Sequence, residues 1–131
     1  MVQRVANLKN ELNMKSLELR MPYQLWQIIK AISKEIHENG FTNTNFCIYA
    51  NEDILKPELI CYLDLSPTIS DDDEEVYPLF IRKKSLGLLY YGQQFEDVLM
   101  NVLEQKNDAT IDDYILALDY YSKYDTFRDF G

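Results

Sequence analysis

Residues 58–65 read ELICYLDL, a segment with the pattern of a buried strand. From Leu59 onward every second residue is aliphatic or cysteine, and Ile60 and Tyr62 on the other face are also aliphatic or aromatic. Alternation of this kind in β-prone residues is typical of a strand. A strand that is apolar on both faces lies inside a sheet, so we expect helices to cover it on at least one side.

Two other segments also predict strands. Residues 46–50 (FCIYA) are β-branched and aromatic, and residues 85–91 (SLGLLYY) form a short apolar run that ends at Gly92. A further edge strand is predicted around residues 79–81 (LFI). The connection at residues 51–57 contains turn-forming residues and joins the first two strands.

Three amphipathic segments predict helices. In the first, apolar residues repeat at helical spacing from Leu25 to Ile36; Pro22 suits its first turn and Gly40 its end. Residues 95–106 carry apolar side chains at i, i+3, i+4, i+7 and i+8. Residues 111–123 follow a Thr-Ile-Asp-Asp sequence that matches a capping box.

These elements predict the α+β class, with a small, mainly antiparallel sheet of three to four strands packed against three helices. A chain of 131 residues with 47% hydrophobic content is large enough for one core. We therefore predict a single domain over residues 22–131 and an N-terminal extension over residues 1–21. Strand order and oligomeric state are left open by the sequence.

The sequence indicates a cytoplasmic protein with reduced thiols. No run of roughly 18 uncharged apolar residues is present, and the N-terminus lacks the pattern of a secretory signal, so no membrane association is expected. Cys47 and Cys61 both lie in apolar runs and form no CxxC pair. We expect both to be buried thiols, neither bridged nor bound to metal.

The charge of the chain argues against direct binding of nucleic acid. There are 22 acidic and 13 basic residues, a formal net charge of −9, and residues 93–131 alone carry nine acidic and three basic residues. Affinity for phosphate backbones comes largely from Lys and Arg, which are scarce here. The same charge would speed association with a basic protein, or would simply keep the chain soluble; both interpretations stay open.

Residues suited to catalysis are few. His37, the only histidine, lies near the polar end of the first predicted helix, where we expect it to be exposed. No cluster of Cys and His has the spacing of a zinc site, and the four glycines are too scattered for a phosphate-binding loop. A straight acidic run also lacks the spacers that wrap calcium. We predict no enzyme activity, no cofactor and no metal.

The densest charge is a run of five acidic residues after the second strand: Asp71, Asp72, Asp73, Glu74 and Glu75. Such a run cannot enter a core, so an exposed loop is expected. It is either only solvated or a ligand for a basic cleft on a partner protein. A second acidic patch is predicted on the last helix, at Asp112, Asp113 and Asp119.

The order of features from Trp26 to Phe127 resembles a family of small acidic bacterial immunity proteins of contact-dependent growth-inhibition and related toxin systems. The matching features, in chain order, are Trp26, Cys61 with Asp64, Asp71 to Glu75 before Pro78, Leu86 to Tyr91, Gln105-Lys106, Thr110 to Asp113, and Tyr120-Tyr121 with Asp125 and Phe127.

The resemblance implies a protein that binds the C-terminal domain of a cognate toxin, often a nuclease, inside the producing cell and neutralises it. If that toxin domain is basic, the two acidic patches are the candidate contacts with its active site. An adaptor or regulatory subunit of a cytosolic complex is the alternative, and gene neighbourhood would separate the two.

Overall fold

Antiparallel strands from distant parts of the chain form the centre of the structure. The computed structural model describes residues 17–131, which contain four helices, a four-stranded sheet and a two-stranded sheet. The helices are α1 (Leu25–Asn39), α2 (Leu79–Lys84), α3 (Gly92–Gln105) and α4 (Ile111–Tyr124). The strands are β1 (Tyr23–Gln24), β2 (Cys47–Ala50), β3 (Ile60–Asp64), β4 (Thr68–Ile69), β5 (Glu75–Val76) and β6 (Gly87–Tyr91). This arrangement confirms the predicted α+β class.

The large sheet has the order β1-β3-β2-β6, and every neighbouring pair is antiparallel. All four residues of β2 are buried. β3 lies between β2 and the two-residue β1, so the prediction of a strand inside the sheet is confirmed. β4 and β5 form a separate hairpin.

Two layers cover the large sheet, one on each face. Helices α1, α3 and α4 pack on the first face, where Ile48 and Ala50 of β2 join the main hydrophobic core. Cys47 and Tyr49 point to the second face and pack against Ile81 of α2. We call these the helical face and the hairpin face of the sheet.

The edge strand predicted around residues 79–81 is wrong, because these residues begin helix α2. Arg82 N–H donates to the Pro78 carbonyl, and the helix ends at Ser85, which adopts a left-handed conformation with φ 56°. Only Ile81 of this helix is buried. Three consecutive apolar residues do not distinguish a strand from one turn of helix, and here one buried side chain per turn fits the hairpin face.

The start of α1 also differs from the prediction. Tyr23 and Gln24 pair with Cys61 and Ile60 as strand β1, so the helix begins at Leu25, beyond the turn that Pro22 would have started. The free edge of β3 accounts for this difference, because its backbone groups gain partners from β1. The predicted end is confirmed: Gly40 has φ 85° and its N–H donates to the Ile36 carbonyl.

Gly92 allows α3 to begin directly after β6. A Cβ atom at this position would lie 2.3 Å from the carbonyl oxygen of Phe46 and 2.7 Å from that of Thr44. Backbone therefore approaches this residue too closely for any side chain. The close contact positions α3 over the helical face.

Residues before the predicted domain start also contact the core. Leu17 and Leu19 pack against it, and Arg20 N–H donates to the Leu63 carbonyl. Residues 1–16, the larger part of the predicted extension, lie outside the described residues. Among the helices in residues 17–131, none is both long and apolar enough to span a membrane.

Candidate protein-binding site

The acidic run forms the tip of the β4–β5 hairpin. Ser70 and Glu74 close the loop through a hydrogen bond from Ser70 N–H to the Glu74 carbonyl, and Asp73 N–H donates to the Ser70 carbonyl. Asp73 has φ 62°, a left-handed conformation that Asp tolerates better than most residues. This is a three-residue hairpin loop whose turn is closed by the Asp73–Ser70 bond and whose third residue is left-handed. All five acidic residues are exposed, as predicted.

The Ser70 side chain stabilises the backbone of the loop. Its side-chain oxygen accepts hydrogen bonds from the backbone N–H groups of Asp72 (3.3 Å) and Glu74 (3.2 Å). The loop backbone is therefore fixed by local bonds that do not use the carboxylates. The four carboxylates from Asp71 to Glu74 are left facing solvent.

Glu75 ties the hairpin to the large sheet. Its carboxylate accepts hydrogen bonds from the Tyr77 hydroxyl (2.8 Å) and the Tyr91 hydroxyl (3.4 Å). The bond to Glu75 raises the pKa of Tyr77, and burial followed by the charge of Glu75 raises the pKa of Tyr91. Both shifts indicate neutral hydroxyls that donate to a charged carboxylate. Glu75 therefore joins strand β5 to Tyr91 of the large sheet.

No Lys or Arg within residues 17–131 forms an ion pair with the acidic run. The basic end of α2 is used elsewhere: Arg82 donates to the Tyr77 carbonyl, and the Lys84 ammonium lies 5.5 Å from the ring centres of Tyr62 and Phe80. The negative charge of the hairpin tip is thus concentrated on one exposed turn.

Exposed apolar side chains accompany the charges. Ile69 of β4 is 64% exposed and Leu79, at the start of α2, is 56% exposed. Val76 of β5 is also exposed. Apolar anchors surrounded by polar groups are the usual composition of a protein-binding surface. The sequence predicted the charges and not these exposed apolar side chains, since a single apolar residue carries no signal of its exposure.

The second predicted patch, on α4, is less available. Asp113 accepts a hydrogen bond from Thr110 N–H (2.9 Å) and pairs with Lys106 (3.2 Å), which together lower its pKa. Asp119 pairs with Lys123 at 2.9 Å. Asp112 is exposed, and no ion pair joins it to another described residue. The predicted capping box is confirmed, and it uses one of the three carboxylates.

The two acidic patches lie on opposite faces of the sheet. Tyr90 and Tyr91 are neighbours on β6 and point in opposite directions. The Tyr90 hydroxyl donates to the Leu118 carbonyl of α4 (2.6 Å), whereas the Tyr91 hydroxyl donates to Glu75 of the hairpin. The structure therefore does not bring the acidic run together with Asp112, Asp113 and Asp119.

Two buried carboxylates were not anticipated as structural groups. Asp64 is fully buried; it accepts from Leu65 N–H (2.8 Å) and pairs with Arg20 (3.1 Å). Glu96 accepts from Thr42 N–H (2.9 Å) and ties the chain after α1 to helix α3. Long-range pairings of this kind leave no local pattern in the sequence.

The histidine and the two cysteines do not form a shared site. His37 is exposed, and Cys47 and Cys61 are buried free thiols, as predicted. Burial raises the pKa of Cys61 to about 12, which keeps it protonated. Across residues 17–131, no group of three His, Cys, Asp or Glu side chains is placed to hold a metal ion.

Residues 25–130 match the family described as "Domain of unknown function (DUF7716)". The chain belongs to this family. The DUF7716 range begins at the first residue of α1 and includes both acidic patches, whereas β1 and Arg20 precede it. No curated protein and no solved structure matches the chain.

Proposed function

We propose that this chain is a non-catalytic, cytoplasmic immunity protein. It binds the C-terminal domain of a cognate toxin and occludes the basic active site of that domain. The observation that carries the proposal is the acidic hairpin, residues 71–75, which is exposed, fixed in shape and not ion-paired within residues 17–131. The resemblance to immunity proteins supplies the class of partner.

The chemistry of a nuclease explains why such a hairpin would inhibit it. A nuclease cleft presents Lys and Arg to bind phosphates, so carboxylates can occupy the positions where phosphates would lie. The hairpin carries four outward carboxylates on one turn, from Asp71 to Glu74. The exposed Ile69 and Leu79 would add the desolvated contacts that slow dissociation.

A fixed hairpin also limits the entropy lost on binding. A flexible acidic loop would have to be ordered in the complex, at roughly 1–2 kcal/mol for each residue whose backbone is fixed. Ser70 and the clamp of Glu75 by Tyr77 and Tyr91 order this loop before the partner arrives. The charges are therefore presented in a defined pattern.

The test neutralises the hairpin and compares it with an equal change of charge elsewhere. The hairpin variant carries Asp71→Asn, Asp72→Asn, Asp73→Asn and Glu74→Gln; Asn at residue 73 tolerates the left-handed conformation. The control variant carries Asp53→Asn, Glu58→Gln, Glu104→Gln and Asp108→Asn, all at exposed positions outside the described ion pairs. Both variants change the net charge by four.

Association with the toxin domain encoded next to this gene is measured by stopped flow over a salt series. We expect the hairpin variant to associate roughly 10- to 100-fold more slowly at low salt, with a flatter salt dependence, because steering charges act mainly on association. The association rate of the control variant should fall much less. An equal fall in the association rates of the two variants would show that only net charge matters. An unchanged rate for the hairpin variant would place the interface elsewhere. A neighbouring gene for a metabolic subunit in place of a toxin would favour the adaptor.

A further inference from the structure

The outward side of α4 carries an apolar ridge that the core does not use. Leu116, Tyr120 and Tyr124 follow one another at four-residue spacing, so they form one line along the helix. Leu116 is 49% exposed and Tyr124 62% exposed, and the Tyr120 and Tyr124 ring centres are 4.6 Å apart. We call these three residues the α4 ridge.

The other side of α4 already makes the contacts that fold the protein. Tyr114, Ala117 and Leu118 are buried in the main core, and Tyr121 packs against its margin. An amphipathic surface helix normally presents polar residues opposite such a stripe. The α4 ridge departs from that pattern with two aromatic rings and a leucine, and tyrosine is enriched in protein-binding surfaces.

Carboxylates border the α4 ridge. Asp112 lies one turn before Leu116, and Asp119 lies beside Tyr120. Asp119 is paired with Lys123, while Asp112 has no ion pair within residues 17–131. The ridge also lies in the most acidic third of the chain. The surface is therefore apolar along its centre, and its border carries a small net negative charge, because Lys123 offsets Asp119 while Asp112 is unpaired.

We infer that the α4 ridge is a docking site for an amphipathic helix of a basic protein. Apolar residues of that helix, at i, i+3, i+4 and i+7, pack along Leu116 and Tyr120. Its Lys or Arg residues meet Asp112 and lie over the exposed ring of Tyr124, which attracts cations. The inference does not depend on the acidic hairpin, because the ridge is on the helical face and the hairpin is on the other.

A second copy of this chain fits the ridge less well. Each copy carries a net charge of −9, so two acidic borders would face each other. Three partly exposed side chains present roughly 200–300 Å², taking 150–250 Å² for one fully buried aromatic. A stable dimer buries roughly 800 Å² per partner. A short helix in a transient complex needs less area and brings the missing positive charge.

The test selects helices that bind the ridge. A displayed library of helical peptides is selected on the intact wild-type chain, and binders of the Leu116→Ala, Tyr120→Ala, Tyr124→Ala variant are removed. We expect enriched peptides with apolar residues at helical spacing and Lys or Arg beside them. A fluorescent synthetic copy of the most enriched peptide should bind the triple variant at least 10-fold more weakly in anisotropy titrations.

Two further variants make the outcome decisive. Asp112→Asn with Asp119→Asn should weaken the peptide severalfold and flatten its salt dependence, and it leaves the apolar ridge intact. The neutralised hairpin variant should bind the peptide as the wild type does. No enrichment over the triple variant, or enrichment without basic residues, would overturn the inference. A wild-type dimer in light scattering that Leu116→Ala dissociates would overturn it in favour of a second copy.

Discussion

The two faces of the large sheet are built differently. The helical face has eighteen buried residues in one core, contributed by α1, α3, α4 and the strands. The hairpin face has three, Cys47, Tyr49 and Ile81, and its outer part is held by hydroxyl groups that donate to Glu75 and to the Leu65 carbonyl. Hydrophobic burial scales with area, so the helical face supplies most of the stability. The hairpin face, with fewer buried side chains, carries the exposed acidic run.

The strongest test of this comparison removes the same atoms from both faces. Ile28 of α1 and Ile81 of α2 are both fully buried, at 0% and 1% exposure. We expect Ile28→Ala to lower the free energy of unfolding by about 4 kcal/mol and Ile81→Ala by about 2 kcal/mol, because a thin layer can close around the lost methyl groups. Urea unfolding measures both. Equal losses would show that the hairpin face is as much a core as the helical face.

A second test concerns the joint between β6 and α3. Gly92→Ala should cost about 3 kcal/mol, because its Cβ would lie 2.3 Å from the Phe46 carbonyl and the backbone would have to move. Gly87→Ala, at the other end of β6, is the matched control, since its Cβ would meet only the Ala50 carbonyl at 3.9 Å. Gly87→Ala should change the unfolding midpoint little. A tolerated Gly92→Ala would mean that α3 is not fixed there.

The tyrosine pair on β6 compares the two faces at neighbouring residues. Tyr90→Phe removes a buried hydrogen bond to the Leu118 carbonyl and should cost about 1–1.5 kcal/mol. Tyr91→Phe removes a longer, exposed bond to Glu75 and should cost less than about 0.5 kcal/mol. If the proposed function holds, Tyr91→Phe with Tyr77→Phe should instead weaken binding of the toxin domain, because Glu75 loses both hydroxyl donors. If the double variant binds as the wild type does, Glu75 does not position the hairpin.

An effect comparable to that of Tyr90→Phe is expected at alkaline pH. The ordinary pKa of the Cys61 thiol is 9.0, and burial raises it to about 12 in the folded protein. The unfolded chain therefore loses this proton at a lower pH than the folded protein does. The stabilisation that the protonated Cys61 thiol gives the folded state is complete below pH 9 and is lost between pH 9 and 12. At pH 10 this contribution has fallen by about 1.4 kcal/mol. Urea unfolding measures the free energy of unfolding at pH 8 and pH 10. Between these two values it should fall less for Cys61→Ala than for the wild type. An equal fall in both proteins would assign the effect to other groups.

The sequence predicted the helices and strands that have a clear local hydrophobic period. The stripes of α1, α3 and α4 and the apolar strands β2, β3 and β6 were all predicted, because each pattern extends over several turns or residues. Helix α2 was missed because six residues with three consecutive apolar ones are too short for a period. Strand β1 was missed because only the distant edge of β3 makes Tyr23 and Gln24 extended.

The candidate site was predictable in composition and not in geometry. Five adjacent carboxylates have to be exposed, and this follows from desolvation alone. Their arrangement depends on Ser70, Tyr77 and Tyr91, and Tyr91 comes from another part of the chain. Asp113 and Asp119 looked equally free in the sequence, yet each has a basic partner in the structure. Their role in binding stays a prediction.

The burial of both cysteines makes site-specific fluorescence labelling practical without first removing them. Cys47 and Cys61, the only two in the chain, are fully covered by the sheet and its two layers. A single cysteine introduced in place of Asp72 would then be the one thiol that maleimide dyes reach in the native state. A second protein with cysteine in place of Asp112 would place the same dye on the opposite face. Emission changes in the two conjugates would report separately which surface a partner covers.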